Sequence, residues 1–291
     1  MSSIRQAKRV SRSQPVIEGA GVHLKRAFGH SDAPALDPFL LLDDFRSTNP
    51  DHYRKGFPWH PHRGIETITY MLDGSVAHGD SMGNAGTIGP GDVQWMTAGS
   101  GIVHQEMPEG DASGRMGGFQ LWANLPASHK MMAPRYQEIR AAQIPEVILD
   151  GGVRVRVVCG RVGGVQGPVT DIVTDPQYLD VSMPPHTCFE HAVSSGYTVL
   201  AYVVDGEGVF VDSFTLPALE NGTLVVFDHG ERIVASTGDN VFRFLLVSGM
   251  PIGEAVAWQG PIVMNTRAEL NLAFQEYRDG SFIKHGDGDW R

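Results

Sequence analysis

The chain has 291 residues, enough for one large domain or two of about 140 residues, and in either case a sizeable core. Twenty-three basic against 33 acidic residues give a formal charge of −10, which argues against a large nucleic-acid footprint. Neither an apolar N-terminal segment nor an apolar run of about eighteen residues is present, so neither secretion nor a membrane span is expected, and a cytoplasmic location is the default.

Thirty-five glycines and 18 prolines, with Val and Ile in short runs, point to β structure. Arg5, Lys8, Arg9 and Arg12 cluster at the start, where a solvated or strand-edge arm is expected. Residues 36–45, LDPFLLLDDF, suit a buried strand that ends in acidic residues. Ile68, Tyr70 and Leu72 alternate along 66–72, and Asp73-Gly74-Ser75 predicts a hairpin turn into Val76-Ala77-His78. Residues 83–91 are rich in glycine and lead into a strand at Val93-Gln94-Trp95-Met96, and 119–125 make another. Residues 126–150 carry Pro126, Pro134 and Pro145 without sustained alternation, which predicts an interdomain connection. Six strand candidates follow at 153–158, 178–183, 197–204, 209–211, 223–227 and 241–247. Thr266 and Glu269 then match a capping box, with Leu270, Phe274 and Tyr277 at helical spacing before Gly280. Cys159 and Cys188 lack metal spacing and are expected as buried thiols rather than a disulfide.

His60 with His62, and His104 with Glu106, are each two residues apart in strand-like sequence, so each pair projects from one face. If the two strands pair, three imidazoles and a carboxylate converge, a donor set suited to iron, copper, nickel, zinc or manganese. Glu66, four residues after His62, would share its face in an unbroken strand, although Gly64 could mark a bulge, so spacing leaves the choice of carboxylate open. His78 is a lone strand histidine, read as structural. In the second half His186 and His191 are five apart, on opposite faces of a strand, and no His-x-Glu follows Gly222-Thr223-Leu224, so no metal is expected there.

The run from Gly56 through PWHPHRGIE to Glu66 resembles the first cupin motif, and Gly91 to Glu106 resembles the second, with two extra residues and Thr97 where proline is usual. The strings PWHPHRGIETITYMLDG, PGDVQWMTAGSGIVHQEMP, QLWANLP (120–126) and PIVMNT (261–266) resemble the pirin family over almost the whole chain. The resemblance implies an all-β bicupin, two cupin-type antiparallel β-barrel domains with a short C-terminal helix: a metal-binding domain at 1–135 and a domain without a complete site at 136–291. It also implies one divalent metal, iron foremost, with nickel, copper, manganese, cobalt or zinc as alternatives, held by His60, His62, His104 and Glu106. Glu66 becomes a neighbour of the ligands rather than a ligand. The implied activity is quercetin 2,3-dioxygenase: a flavonol binds through its deprotonated 3-hydroxyl and is cleaved by dioxygen with release of carbon monoxide, Glu106 taking the proton. Trp95 and Met96 are candidates for an apolar pocket wall, with core packing as the competing role. The alternative is an iron-dependent, redox-responsive regulator that contacts an unidentified protein.

Overall fold

A computed structural model of the chain describes residues 3–210 and 217–286. The chain folds as two compact units, one of residues 14–141 with 252–291, the other of residues 1–13 with 142–251. These units differ at their termini from a contiguous division into 1–135 and 136–291. The strand Ala7–Arg12 pairs with Thr223–Phe227, so the basic start is a sheet edge, while the final helix packs in the unit of residues 14–141. Edge pairing and helix docking join positions more than a hundred residues apart, which no local pattern encodes.

In the first unit a seven-stranded antiparallel sheet runs Arg135–Ile139, Val93–Thr97, Ile65–Asp73, Gly117–Asn124, Phe39–Asp44, Val22–Phe28, Gln14–Glu18. A four-stranded sheet runs Phe57–His62, Ile102–Glu109, Ser75–Asp80, Ala85–Ile88. Leu24, Phe45 and Met71 from the first sheet region close on Val76 and Ile88 of the second in one apolar cluster. Burying each such side chain contributes about 1.5–3 kcal/mol. The expected hairpin at Gly74 is not formed: Ile65–Asp73 pairs with strands of the larger sheet and Ser75–Asp80 with strands of the smaller. The turn carries the chain from one sheet to the other. The expected connection at 126–150 also contains structure, since Arg135–Ile139 pairs with Val93–Thr97.

The helix Arg267–Asp279 carries the expected capping box: Thr266 Oγ1 accepts from the Glu269 amide at 3.2 Å, and Glu269 Oε2 accepts from the Thr266 amide at 2.8 Å. Gly280 ends it in the left-handed conformation. Leu270 and Ala273 pack with Val103, Ile262, Met264 and Phe282. No helix among the described residues is long and apolar enough to cross a membrane.

The second unit has an eight-stranded sheet that includes Arg154–Cys159, Gln177–Met183, Phe242–Gly249 and Thr198–Gly208, and a two-stranded sheet of Cys188–Ala192 with Arg232–Ser236. Its interior is apolar, with Phe189, Phe210, Phe242, Phe244 and Ile233 in one cluster. Of the strand candidate at 209–211, Val209 forms only an isolated bridge to Ser236 and Val211 lies outside the described residues. Neither cysteine forms a disulfide, but only Cys159 is buried; Cys188 is exposed because it starts the short strand 188–192 with its side chain away from the core.

Candidate metal centre

The strands Phe57–His62 and Ile102–Glu109 pair antiparallel, with His104 directly opposite His60. Alternation turns His60 and His62 to one face, and pairing brings His104 onto it. The register then shifts by one, so that Glu106 sits opposite Phe57. The three rings gather with centroids 4.9 Å (His60 to His62), 4.4 Å (His60 to His104) and 5.0 Å (His62 to His104) apart. One nitrogen from each lies within 4.8 Å of the others, a group that could hold a metal ion. Glu106 is buried beside this group but outside it, with its carboxylate accepting from Gln120 Nε2 at 3.3 Å and Thr69 Oγ1 at 3.4 Å.

Hydrogen bonding fixes how the rings present their lone pairs. His60 Nδ1 lies 2.8 Å from the Pro58 carbonyl oxygen and His62 Nδ1 lies 3.2 Å from that of Pro261. A carbonyl only accepts, so both Nδ1 atoms carry hydrogen, and in the neutral form of either ring the lone pair lies on Nε2. Those two Nε2 atoms are 3.1 Å apart. Two acceptors at that separation repel unless a cation lies against both. Burial first, and the neighbouring His60 second, hold the pKa of His62 and His104 well below the usual 6.5, so these two rings take up a proton poorly. Both ring nitrogens of buried His104 lack a hydrogen-bond partner. Three converging imidazoles, with His62 and His104 held neutral by burial, fit a divalent transition metal.

Long-range anchors hold the histidine strand. Arg63, next to His62, donates to the Ser100 carbonyl at 2.7 Å, to Glu276 Oε2 at 2.7 Å and to the Phe282 carbonyl at 2.9 Å, which ties the C-terminal helix to the site. Buried Lys130 donates to the Gly64 carbonyl at 2.9 Å, Asn124 Oδ1 at 2.7 Å and the Val263 carbonyl at 3.0 Å. Burial pushes its pKa down to about 7, while three acceptors, one for each ammonium N–H, favour the charged form. Gly64 has φ +77°, and a Cβ there would collide with the Val263 carbonyl oxygen.

That corner redirects Glu66. The structure does not bring Glu66 to the histidines: its Oε1 accepts from Thr97 Oγ1 at 2.7 Å, and it lies on the opposite face of its strand from Thr67 and Thr69. Burial raises its pKa. His78 is buried, its Nε2 2.7 Å from Glu138 Oε1 but outside hydrogen-bond geometry.

The cluster opens on a cavity of about 650 Å³. Trp122, Trp258, Trp59 and Phe57 supply aromatic wall, and Gln120 and Thr69 supply polar wall beside Glu106. Trp95 and Met96 are not among its lining residues: Met96 packs with Ile65, Ala98 and Ile102, and Trp95 is buried on the other face of its strand. Trp122 takes the role expected of them. Its ring meets His62 edge-on at 5.0 Å, and its Nε1 donates to Gln120 Oε1 at 3.1 Å, which leaves the Gln120 amide nitrogen facing Glu106. Gln120 and Trp122 lie two apart in the string 120–126, so strand alternation from that string could have found them; Trp258 has no such signal.

In the second unit His186 pairs with Asp239 at 3.3 Å in an exposed turn. His191 Nε2 lies 2.8 Å from Gln177 Oε1, and burial lowers its pKa to about 4.

Two antiparallel β units, one with clustered histidines between paired strands, define a bicupin. The Pirin family pattern matches residues 21–123, and that of the Pirin C-terminal cupin domain matches residues 178–283. A pirin-like protein of Caulobacter vibrioides is 46% identical over 280 residues, covering 96% of this chain and 99% of that protein. A Pseudomonas aeruginosa protein provisionally named a quercetin 2,3-dioxygenase is 40% identical, covering 96% of this chain and 99% of that one. The crystal structure of quercetin 2,3-dioxygenase from Acinetobacter baumannii superposes with a TM-score of 0.87 at 31% identity, over 96% of this chain and 99% of that one. The chain belongs to the pirin family.

Proposed function

We propose that this protein is a metal-dependent dioxygenase that cleaves flavonols such as quercetin with dioxygen and releases carbon monoxide. The observation that carries the reading is the pair of lone-pair-bearing Nε2 atoms 3.1 Å apart, on the wall of a cavity large enough for a ligand of several rings. His60, His62, His104 and Glu106 would hold one divalent transition metal, with iron the first candidate. When bound, the metal supplies Lewis-acid activation of the flavonol hydroxyl and a redox partner for dioxygen.

The chain's own residues do the rest. His60, His62 and His104 serve as anchors and take no part in the proton transfer. Glu106 accepts the proton of the 3-hydroxyl, its carboxylate steered by Gln120 and Thr69 and the Gln120 amide fixed in turn by Trp122. Trp122, Trp258 and Phe57 sandwich flat rings and exclude water.

Oxygen uptake and carbon monoxide release by metal-loaded protein are the test, with a flavonol compared against the matching flavone that lacks the 3-hydroxyl. Turnover of the flavonol alone is expected, because a buried site discriminates strongly against a missing polar partner. Equal rates for the pair would contradict the reading. No uptake by fully loaded protein would favour the iron-dependent regulator instead.

A further inference from the structure

A row of polar side chains crosses the inner face of the seven-stranded sheet. Arg26 is the cross-strand partner of Asp43, Asp43 of Gln120 and Gln120 of Thr69. Direct partners share a face. All four line the same cavity as His60, His62 and Glu106. Gln120 and Thr69 steer Glu106, but Arg26 and Asp43 have no part in that task. The Arg26 guanidinium donates to both Asp43 oxygens at 2.8 Å and pairs with Glu18 at 3.0 Å, and Glu18 also lines the cavity. One cation held by two carboxylates leaves this end of the cavity with a net negative charge. Each carboxylate oxygen can accept more than one hydrogen bond, so acceptor capacity remains. Asp43, in the acidic end of the LDPFLLLDDF run, is thus part of the cavity wall.

We propose that Arg26, Asp43 and Glu18 form a recognition site for phenolic hydroxyls on the far ring of the ligand, so that the cavity selects uncharged, hydroxyl-rich aromatics over bare aromatics and aromatic carboxylates. The inference rests on the reading that a flat aromatic ligand enters this cavity. Arg26 is two strands away from Gln120, about 10 Å at the usual interstrand spacing, comparable with the span of a fused-ring aromatic that carries a pendant ring. A ligand oxygen near Glu106 therefore leaves the pendant ring beside Asp43 and Glu18. Phenolic O–H groups donate to those carboxylates in charge-assisted bonds. A ligand carboxylate would instead face Glu18, Asp43 and Glu106, with Arg26 already neutralised.

Anaerobic titration of the metal-loaded protein, read by tryptophan fluorescence, tests this without turnover. Three probes suffice: quercetin with its catechol ring, galangin with that ring bare, and a flavonol with a carboxylate on that ring. Quercetin is expected to bind at least about tenfold more tightly than galangin, and the carboxylate analogue more weakly than both. Glu18→Gln, at a half-exposed position, and Asp43→Asn should each shrink the quercetin preference; Glu18→Gln keeps the test decisive if the buried variant misfolds. Equal affinity for quercetin and galangin, an unchanged preference in Glu18→Gln, tightest binding of the carboxylate, or no binding of either flavonol would overturn the inference. The preference without oxygen uptake on readmitting air would sink the dioxygenase reading and leave this one standing; turnover with equal affinities would do the reverse.

Discussion

The unit of residues 1–13 and 142–251 packs Phe189, Phe210, Phe242 and Phe244 into its interior, whereas the unit of residues 14–141 and 252–291 turns His60, His62, Glu106 and Gln120 inward around a cavity, with His104 beside His60 and His62. Both have a large antiparallel sheet and a smaller one. Sheet architecture therefore does not make a metal site; the side chains at inward strand positions do. The short strands Cys188–Ala192 and Arg232–Ser236 bury Phe189, Ile233 and Ala235, and His191 there is satisfied by Gln177. A polar interior forgoes apolar burial, and in the histidine-bearing unit Arg63, Lys130 and the C-terminal helix supply long-range hydrogen bonds and packing around it.

Phe244→Ala should cost about 3–5 kcal/mol in urea unfolding, the usual range for a cavity left in a packed aromatic core, with metal content unchanged. Loss of metal in that variant would mean that the filled unit takes part in binding.

A finer distinction lies within the histidine-bearing unit. Glu106→Gln should weaken metal retention in equilibrium dialysis by about tenfold or more, while Glu66→Gln, bonded to Thr97 on the other face, should leave it unchanged. The reverse pattern would make Glu66 the ligand.

The buried imidazoles also impose a pH dependence. His62 and His104 are held well below the usual 6.5, so the unfolded chain binds protons that the folded chain refuses. Their contribution to stability is complete above 6.5 and is lost as pH falls from there toward the folded values. Metal-free protein should lose stability between about pH 7.5 and about pH 5, and His104→Gln should lose less over that interval. His191, at about 4, adds a similar term in the other unit, so a slope unchanged by His104→Gln would assign the dependence elsewhere.

How much of this was legible in the sequence depends on the range of each interaction. The histidine pairs were legible because two-residue alternation survives within each strand, and the helix because its capping box spans three residues. Spacing left the place of Glu66 open because the positive φ at Gly64 resets the alternation between His62 and the next strand. Gly74 reads as a hairpin in sequence, yet whether a turn joins neighbouring strands or crosses between sheets is decided by partners far away. Lys130 and Arg63 left no pattern, since they bond mainly to backbone carbonyls, which every residue has. Trp95 and Trp122 look equally suited to a pocket until register puts only Trp122 beside His62.

The metal is expected in the unit of residues 14–141 and 252–291 alone, and elemental analysis of purified wild type, His62→Ala and His191→Ala tests this. About one equivalent of a divalent transition metal is expected in wild type and in His191→Ala, and its loss in His62→Ala, because removing one of three converging imidazoles dismantles the site. Full metal content in His62→Ala, or its loss in His191→Ala, would contradict it.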